Sequence, residues 1–346
     1  MSQRPLVSVI IVNFNAGERL ARCLDCLEQQ SFTDFETIVY DNNSEDDSLV
    51  CARLPERKAR IIRSPENRGF AAANNAAARE AGGGWIALLN PDAYPQPDWL
   101  RRLVEAAERR ASADAFGSLQ LDAARPDYVD GAGDVCTVFG VAYRGDAGRL
   151  KAQYPDEAEC FAPCAAAALY RKDTFLRLGG FDESFFCYGE DIDFGFRLRS
   201  AGGIAVQVNQ AVVLHEGSGV TGRRSAFTTY YGHRNRIWLY YKNMPPALYV
   251  LTAPLRILMD LALLAKYLPQ GLAGTYLKAI FDGYKGLSKL NRKRKEIAAM
   301  RRESRARIAP LLCWSPIKTF RRSIDLRPID QQGEESVNRI QLAGRK

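Results

Sequence analysis

Strand and helix signals alternate along the first 120 residues, and each apolar run gives way to a polar cluster. The runs VSVIIVNF (7–14), FETIVYD (35–41), ARIIRS (59–64) and WIALLN (85–90) read as strands, with an amphipathic helix near 17–30 and an Ala-rich helix near 69–81 between them. Parallel neighbours need a helical crossover, so this alternation predicts a parallel sheet. In open sheets of that kind ligands bind beyond the carboxyl ends of the strands. The stretches there are 13–15, 41–44, 64–69 and 90–92, each rich in polar groups.

Composition narrows the class. With 346 residues, 47% hydrophobic and 25% charged, the chain is neither disordered nor collagenous nor a disulfide miniprotein. Its net charge of +8 has one source: residues 271–327 hold 15 Lys and Arg against 4 Asp and Glu, which leaves 33 against 36 elsewhere. The apolar run 6–12 is too short for a signal-peptide core. Eight cysteines are scattered, and Cys23 and Cys26 share a helix face with Leu20, Leu24 and Leu27, which favours core packing over metal or redox work. A cytoplasmic protein is expected.

After a helix from Asp98, as N-cap, to about Arg110, the stretch 115–170 predicts antiparallel strands and long loops. A strand at 165–170, a short helix at 171–178, a helix from about Glu190 to Gly202 and strands at 204–208 and 211–215 follow. A boundary is expected near 230–245. Beyond it, the longest uncharged run (243–255) has 13 residues and three prolines, short of the roughly 20 that span a bilayer. Arg256, Asp260 and Lys266 interrupt the apolar stretch, and Lys and Arg cluster over 292–307. An apolar interfacial helix beside a polybasic one suits an anionic membrane surface; a packed helix with a solvated charged face is the alternative.

Three places carry candidate chemistry. In LLNPDAYP, Asp92 stands just past a buried strand, where one carboxylate among amide and backbone oxygens suits a hard divalent cation; a turn aspartate is the plainer reading. Glu190, Asp191 and Asp193 crowd one helix start, and capping explains only one of three repelling carboxylates. One of them could take the proton of an attacking hydroxyl. His215 ends AVVLH at the same sheet edge, as a metal ligand or a structural imidazole. His233, in YYGHRNR, reads as a helix-surface or interface residue. Asp41, Asn42, Asn43 and Ser44 could bond a nucleobase or ribose, and Arg68 a base or phosphate. Gly82–84 reads as a helix stop, and the lack of a GxGxxG or Walker motif argues against a dinucleotide oxidoreductase or an NTPase.

In this order and spacing, VSVIIVNFN, YDNNSEDDS, ENRGFAAANN, LLNPDA, GGFDESFFCYGEDIDFGFRLRSAG and VLHEGSG resemble the glycosyltransferase family 2 enzymes of GT-A fold. They are most similar to the bacterial rhamnosyltransferase-like branch that builds cell-surface polysaccharides. The resemblance implies an α/β fold, Rossmann-like, whose mostly parallel mixed sheet is flanked by helices and followed by an α-helical membrane-associating extension. The implied parts are a catalytic domain at 1–240, the extension at 241–327 and a disordered tail at 328–346. Asn13, Asn15, Asp41, Asn43, Arg68, Asn90 and Asp92 would bind the nucleotide-sugar, with Asp41 reading the nucleotide. Asp92 matches the last acid of the DXD motif, and with His215 it would hold Mg²⁺ or Mn²⁺. Asn90 replaces the first acid, so diphosphate oxygens would complete the ion's shell. Asp191 matches the catalytic base of the ED motif. Glu190, Tyr188 and Trp99 would lie on the acceptor side, and Tyr143 is a further stacking candidate, packing being the alternative for each aromatic.

The implied activity is inverting transfer of a sugar, L-rhamnose from dTDP-L-rhamnose, to a lipid-linked or cell-surface polysaccharide acceptor. The place is the inner face of a bacterial cell membrane, touched by anionic lipid through 245–307. A UDP-hexose or UDP-N-acetylhexosamine donor is the alternative, and a homodimer is compatible with the sequence. A nucleic-acid-binding protein would interleave basic and aromatic residues on its folded part. Here the basic excess is confined to 271–327, so no nucleic-acid partner is expected.

Overall fold

The computed structural model describes residues 5–54, 57–217, 225–304 and 307–329. In chain order its elements are β1 (Val7–Asn13), α1 (Glu18–Glu28), β2 (Phe35–Asp41), α2 (Ser48–Cys51), β3 (Ala59–Arg63), α3 (Gly69–Glu80), β4 (Trp85–Leu89), β5 (Ala93–Pro95), α4 (Trp99–Arg109), β6 (Ala115–Asp122), β7 (Arg125–Gly131), β8 (Asp134–Cys136), β9 (Ala142–Arg144), β10 (Glu157–Glu159), β11 (Ala167–Arg171), α5 (Lys172–Arg177), α6 (Glu190–Ser200), β12 (Ala205–His215), α7 (Ala226–Asn243), α8 (Pro246–Leu251), α9 (Ala253–Tyr267), α10 (Ala273–Lys285), α11 (Asn291–Ser304) and α12 (Pro316–Arg321).

Ten strands form one sheet in the order β10-β12-β6-β11-β4-β1-β2-β3, with β5 on β12 and β7 on β6. Strands β3, β2, β1 and β4 are parallel neighbours, as the alternation predicts. The sheet becomes mixed where β11 enters antiparallel between β4 and β6, and β12 lies parallel to β6.

Every residue of β1 is buried, so both faces of the sheet need a cover. Val7, Val9 and Ile11 turn to one face, where Leu20, Cys23, Leu24 and Leu27 of α1 and Leu100 and Leu103 of α4 pack. Ile10 and Val12 turn to the other, against Ala71, Ala73, Ala77 and Ala78 of α3, Phe175 of α5 and Phe194 of α6. The CxxC pair is free thiols, with Cys23 in the core.

Several expectations change. The strands expected at 204–208 and 211–215 are one, β12, whose register against β6 shifts between Val208 and Val212. Asp98 stands at the N-terminus of α4 but does not cap it, because its carboxylate accepts from Ser31 Oγ at 2.8 Å and pairs with Arg101 at 2.8 Å. The boundary expected at 240 falls inside α7, which runs unbroken to Asn243. The chain after α11 returns to the catalytic half through bridges Thr137–Cys313 and Glu159–Arg327. Of the expected tail, residues 330–346 lie outside the described residues. Among the described residues no helix is long and apolar enough to cross a membrane.

Candidate active site

The carboxyl ends of β1, β4, β6 and β12 open on one cleft of about 1430 Å³. Asn90 and Asp92 reach it from the turn after β4, and His215 from the end of β12, which β5 holds in register opposite Ala93. His215 Nε2 lies 3.3 Å from Asp92 Oδ1, and Nδ1 lies 2.7 Å from Asp130 Oδ2, with Arg144 paired to the same Asp130. Burial alone would lower the His215 pKa, but hydrogen bonds to Asp130 and Asp92 outweigh it and raise the value.

These residues fit a divalent cation. Asn90 Oδ1 is buried with no hydrogen-bond partner, and His215 Nε2 faces the Asp92 carboxylate at 3.3 Å. A carboxylate, an amide oxygen and an imidazole nitrogen form a donor set for Mg²⁺ or Mn²⁺.

Across the cleft Asp191 opens α6. Its Oδ1 accepts from the Ile192 amide at 2.8 Å and its Oδ2 from the Ala165 amide at 3.3 Å. Burial raises its pKa, which makes it a stronger base than an exposed aspartate. Glu190 is buried beside it with Oε2 unpartnered, and burial followed by the Asp191 charge pushes its carboxyl well up. Asp193 points the other way. Lys242 Nζ at 2.6 Å, Asn243 Nδ2 at 2.7 Å and Arg197 Nε at 3.0 Å hold it in the core, so its role is structural.

The loop before α6 sets the direction of Asp191. Phe186 (φ 66°), Tyr188 (φ 71°) and Gly189 (φ 86°) are left-handed, a conformation that strains bulky side chains. Asn235 of α7 holds them there: its Nδ2 donates to the carbonyls of Phe185, Cys187 and Tyr188 at 2.9, 2.8 and 2.8 Å. Gly69 makes room, since a Cβ on it would lie 2.6 Å from the Phe186 carbonyl oxygen.

Residues 8–172 match the family model for glycosyl transferase family 2. They form a glycosyltransferase family 2 domain. The chain is 29% identical over 248 residues to an N-acetylglucosaminyl-diphospho-decaprenol L-rhamnosyltransferase of Mycobacterium tuberculosis, covering 64% of this chain and 79% of that one. It is 30% identical over 118 residues to the succinoglycan biosynthesis protein ExoO of Rhizobium meliloti, 34% of each. Among solved structures, GalNAc-T7 with UDP, GalNAc and Mn²⁺ superposes with a TM-score of 0.57 at 15% identity, covering 70% of this chain and 48% of that chain. The mannosyltransferase PcManGT of Pyrobaculum calidifontis, with GDP-Man and Mn²⁺, superposes at 0.50 and 17% identity over 88% of each. These two likenesses speak to the fold. The family match and these relatives support glycosyltransferase activity.

The cleft gathers Asn90, Asp92, Tyr188, Glu190, Asp191 and His215, and Tyr143 and His233 also line it. His233 sits where α7 meets the extension, its Nε2 2.9 Å from the Tyr267 hydroxyl, and burial lowers its pKa to about 3. Trp99 is not on the acceptor side: the amphipathic face of α4 turns it into the core, where Nε1 donates to Ser118 Oγ at 2.7 Å. Asn13 and Asp41 do not line the cleft, because Asn13 Nδ2 is spent on Asp41, Ser44 and Ser48 behind its wall. Asn15 is likewise turned to the loop, with Oδ1 accepting from the Glu45 amide. Asn42 and Asn67 line the cleft in place of Asn43 and Arg68. Asp130, Asp134 and Arg144 line it too and were missed; the one signal was the run DYVDGAGDV, unusually acidic for a loop-and-strand segment. Ser218 and Gly219 of VLHEGSG lie outside the described residues.

Proposed function

We propose that this enzyme is an inverting, metal-assisted glycosyltransferase that moves L-rhamnose from dTDP-L-rhamnose to an N-acetylglucosaminyl-diphospho-lipid at the cytoplasmic face of the membrane. The observation that carries this reading is one cleft with Asp92 and His215 at the sheet edge and Asp191 at the start of α6. The rhamnosyltransferase relative supports the choice of donor and acceptor.

In the reaction, Asp191 takes the proton of an acceptor hydroxyl while that oxygen bonds to the anomeric carbon. The bond from that carbon to the diphosphate breaks, and the nucleoside diphosphate leaves with the electron pair. Attack opposite the leaving group inverts the centre, and no enzyme nucleophile is needed. The Ile192 and Ala165 amides orient the base, and its burial strengthens it. Asp92, His215 and the Asn90 amide oxygen would hold the cation, which when bound neutralises charge on the departing diphosphate. Asn42 and Asn67 stand at the nucleotide end, braced from behind by Asn13 and Asp41.

The lipid side is supported by α8 and α9, which bury no residue. Val250, Leu251, Ile257, Leu258 and Leu261 are exposed there, with Leu277 and Phe281 of α10. Another face of α9 lines the cleft through Leu263, Lys266 and Tyr267, so one helix adjoins both an apolar surface and the reaction space. Part of the basic cluster is structural, since Lys293 pairs with Asp182 at 2.5 Å, whereas Arg292 points to solvent.

Calorimetric titration with dTDP-L-rhamnose and UDP-N-acetylglucosamine, with and without Mg²⁺, tests the reading. Binding of dTDP-L-rhamnose, tightened by Mg²⁺ in the wild type and not in Asp92→Asn, is expected. Binding of neither nucleotide-sugar refutes it.

A further inference from the structure

Asp134 opens β8 and is fixed by its own amide, which donates to the Ala162 carbonyl at 3.0 Å. Its side chain lines the cleft at 4% residue exposure, yet among the described residues it makes no hydrogen bond or ion pair. A buried carboxylate without a donor is costly, and most native structures do not tolerate one without a use. Burial and then the Asp191 charge push the Asp134 pKa well up, and Arg144, whose charge opposes them, is already paired with Asp130. One Asp134 oxygen, one Asp191 oxygen and Cys164 Sγ lie within 4.8 Å of one another. Each Asp191 oxygen receives a single backbone amide and keeps a lone pair for the cleft.

Two carboxylate oxygens this close can each accept from one of two adjacent ring hydroxyls at about 2.7 Å. The geometry points to Asp134 as the residue that binds the hydroxyl next to the one that reacts, so that the acceptor sugar presents a vicinal diol to Asp134 and Asp191. This rests on the reading of Asp191 as base. The three groups could also be read as a metal site, where a cation would have to displace the proton of the Cys164 thiol, whose pKa burial raises; the Co²⁺ measurement below separates the two readings. On an N-acetylglucosaminyl acceptor only the C3 and C4 hydroxyls are free and adjacent. The new linkage is therefore to one of those two, with the other held by Asp134, and the primary C6 hydroxyl plays no part.

The test uses a short-chain N-acetylglucosaminyl-diphospho-prenol and its 3-deoxy, 4-deoxy and 6-deoxy analogues with the full chain. In the wild type, one of the 3- and 4-deoxy compounds is inert and the other loses about 10- to 100-fold in kcat/KM, the cost of leaving a buried polar group unpaired. The 6-deoxy compound is processed normally. In Asp134→Asn and Asp134→Ala the second penalty shrinks, while Tm holds or rises because Asp134 has no hydrogen bond in the free protein to lose. An unchanged penalty in both variants overturns the inference, as does inactivity of the 6-deoxy compound. A Co²⁺–thiolate absorption band lost in Cys164→Ser also overturns it, by giving Asp134 to a metal. Failure of the base reading is seen separately, as turnover by Asp191→Asn.

Discussion

Asn235→Ala should disable catalysis from outside the reacting groups. Its amide supplies donors to three carbonyls of the loop before α6. Arg234 Nη2 also donates to the Phe185 carbonyl, at 3.0 Å, so truncation strands mainly those of Cys187 and Tyr188. Two unmade hydrogen bonds in a buried setting cost about 2–3 kcal/mol. That is comparable with the roughly 1–3 kcal/mol of strain held at each of the left-handed Phe186 and Tyr188, so the loop should relax. Relaxation turns Asp191 away, and a displacement of about 1 Å in a reacting group costs on the order of 100-fold in rate. Steady-state kinetics should show that fall in kcat. Hydrogen exchange at 185–190 should quicken by about 30- to 140-fold, the equivalent of 2–3 kcal/mol. Unaltered exchange over those residues together with an unaltered kcat would refute the claim that Asn235 sets the base.

Lys242→Met removes the cation shared by Asp182 at 2.5 Å and Asp193 at 2.6 Å, and should lower stability by about 3 kcal/mol in urea unfolding, since Lys293, Arg197 and Asn243 remain. Burial opposes ionisation of Asp182, but Lys242 and Lys293 outweigh it and hold its pKa well below the ordinary value. That stabilisation is present above the unfolded pKa of about 3.9 and is lost as pH falls toward the folded one, so wild-type stability should decline below about pH 4, and less steeply in Lys242→Met. An equal decline in both would be evidence against the linkage. Leu258→Glu with Leu261→Glu, both on exposed positions of α9, should leave Tm unchanged and weaken sedimentation with phosphatidylglycerol vesicles at least ~10-fold. Undiminished sedimentation would move the membrane contact elsewhere.

What the sequence made legible was local. The strands β1 to β4, α1, α3 and α6 follow from apolar period and Gly or Pro punctuation, and Asp92, Asp191 and His215 follow from standing at their ends. What it hid depends on contacts distant along the chain. Asp130 and Asp134 reach the cleft because β7 turns back along β6 and Asp134 of β8 bridges to Ala162. Trp99 reads equally as an acceptor-side or a packing aromatic until Ser118, on β6, gives its indole a buried acceptor. Asn43 and Asn42 differ by one residue, and only the turn geometry, with φ 65° at Asn43, decides which lines the cleft. The break in β12 was read as two strands because Asn209 and Gln210 interrupt the apolar pattern, which the register shift absorbs within one strand. Nothing local marks Lys242, which pairs with two buried aspartates from other elements.

The central claim is that Asp191 is the base of a sugar transfer. Single-turnover transfer from dTDP-L-rhamnose by Asp191→Asn, measured beside the donor dissociation constant, tests it most directly. The account predicts a loss of about 10²- to 10⁴-fold in the chemical step, the worth of a general base, with donor affinity unchanged. Transfer at the wild-type rate would contradict it.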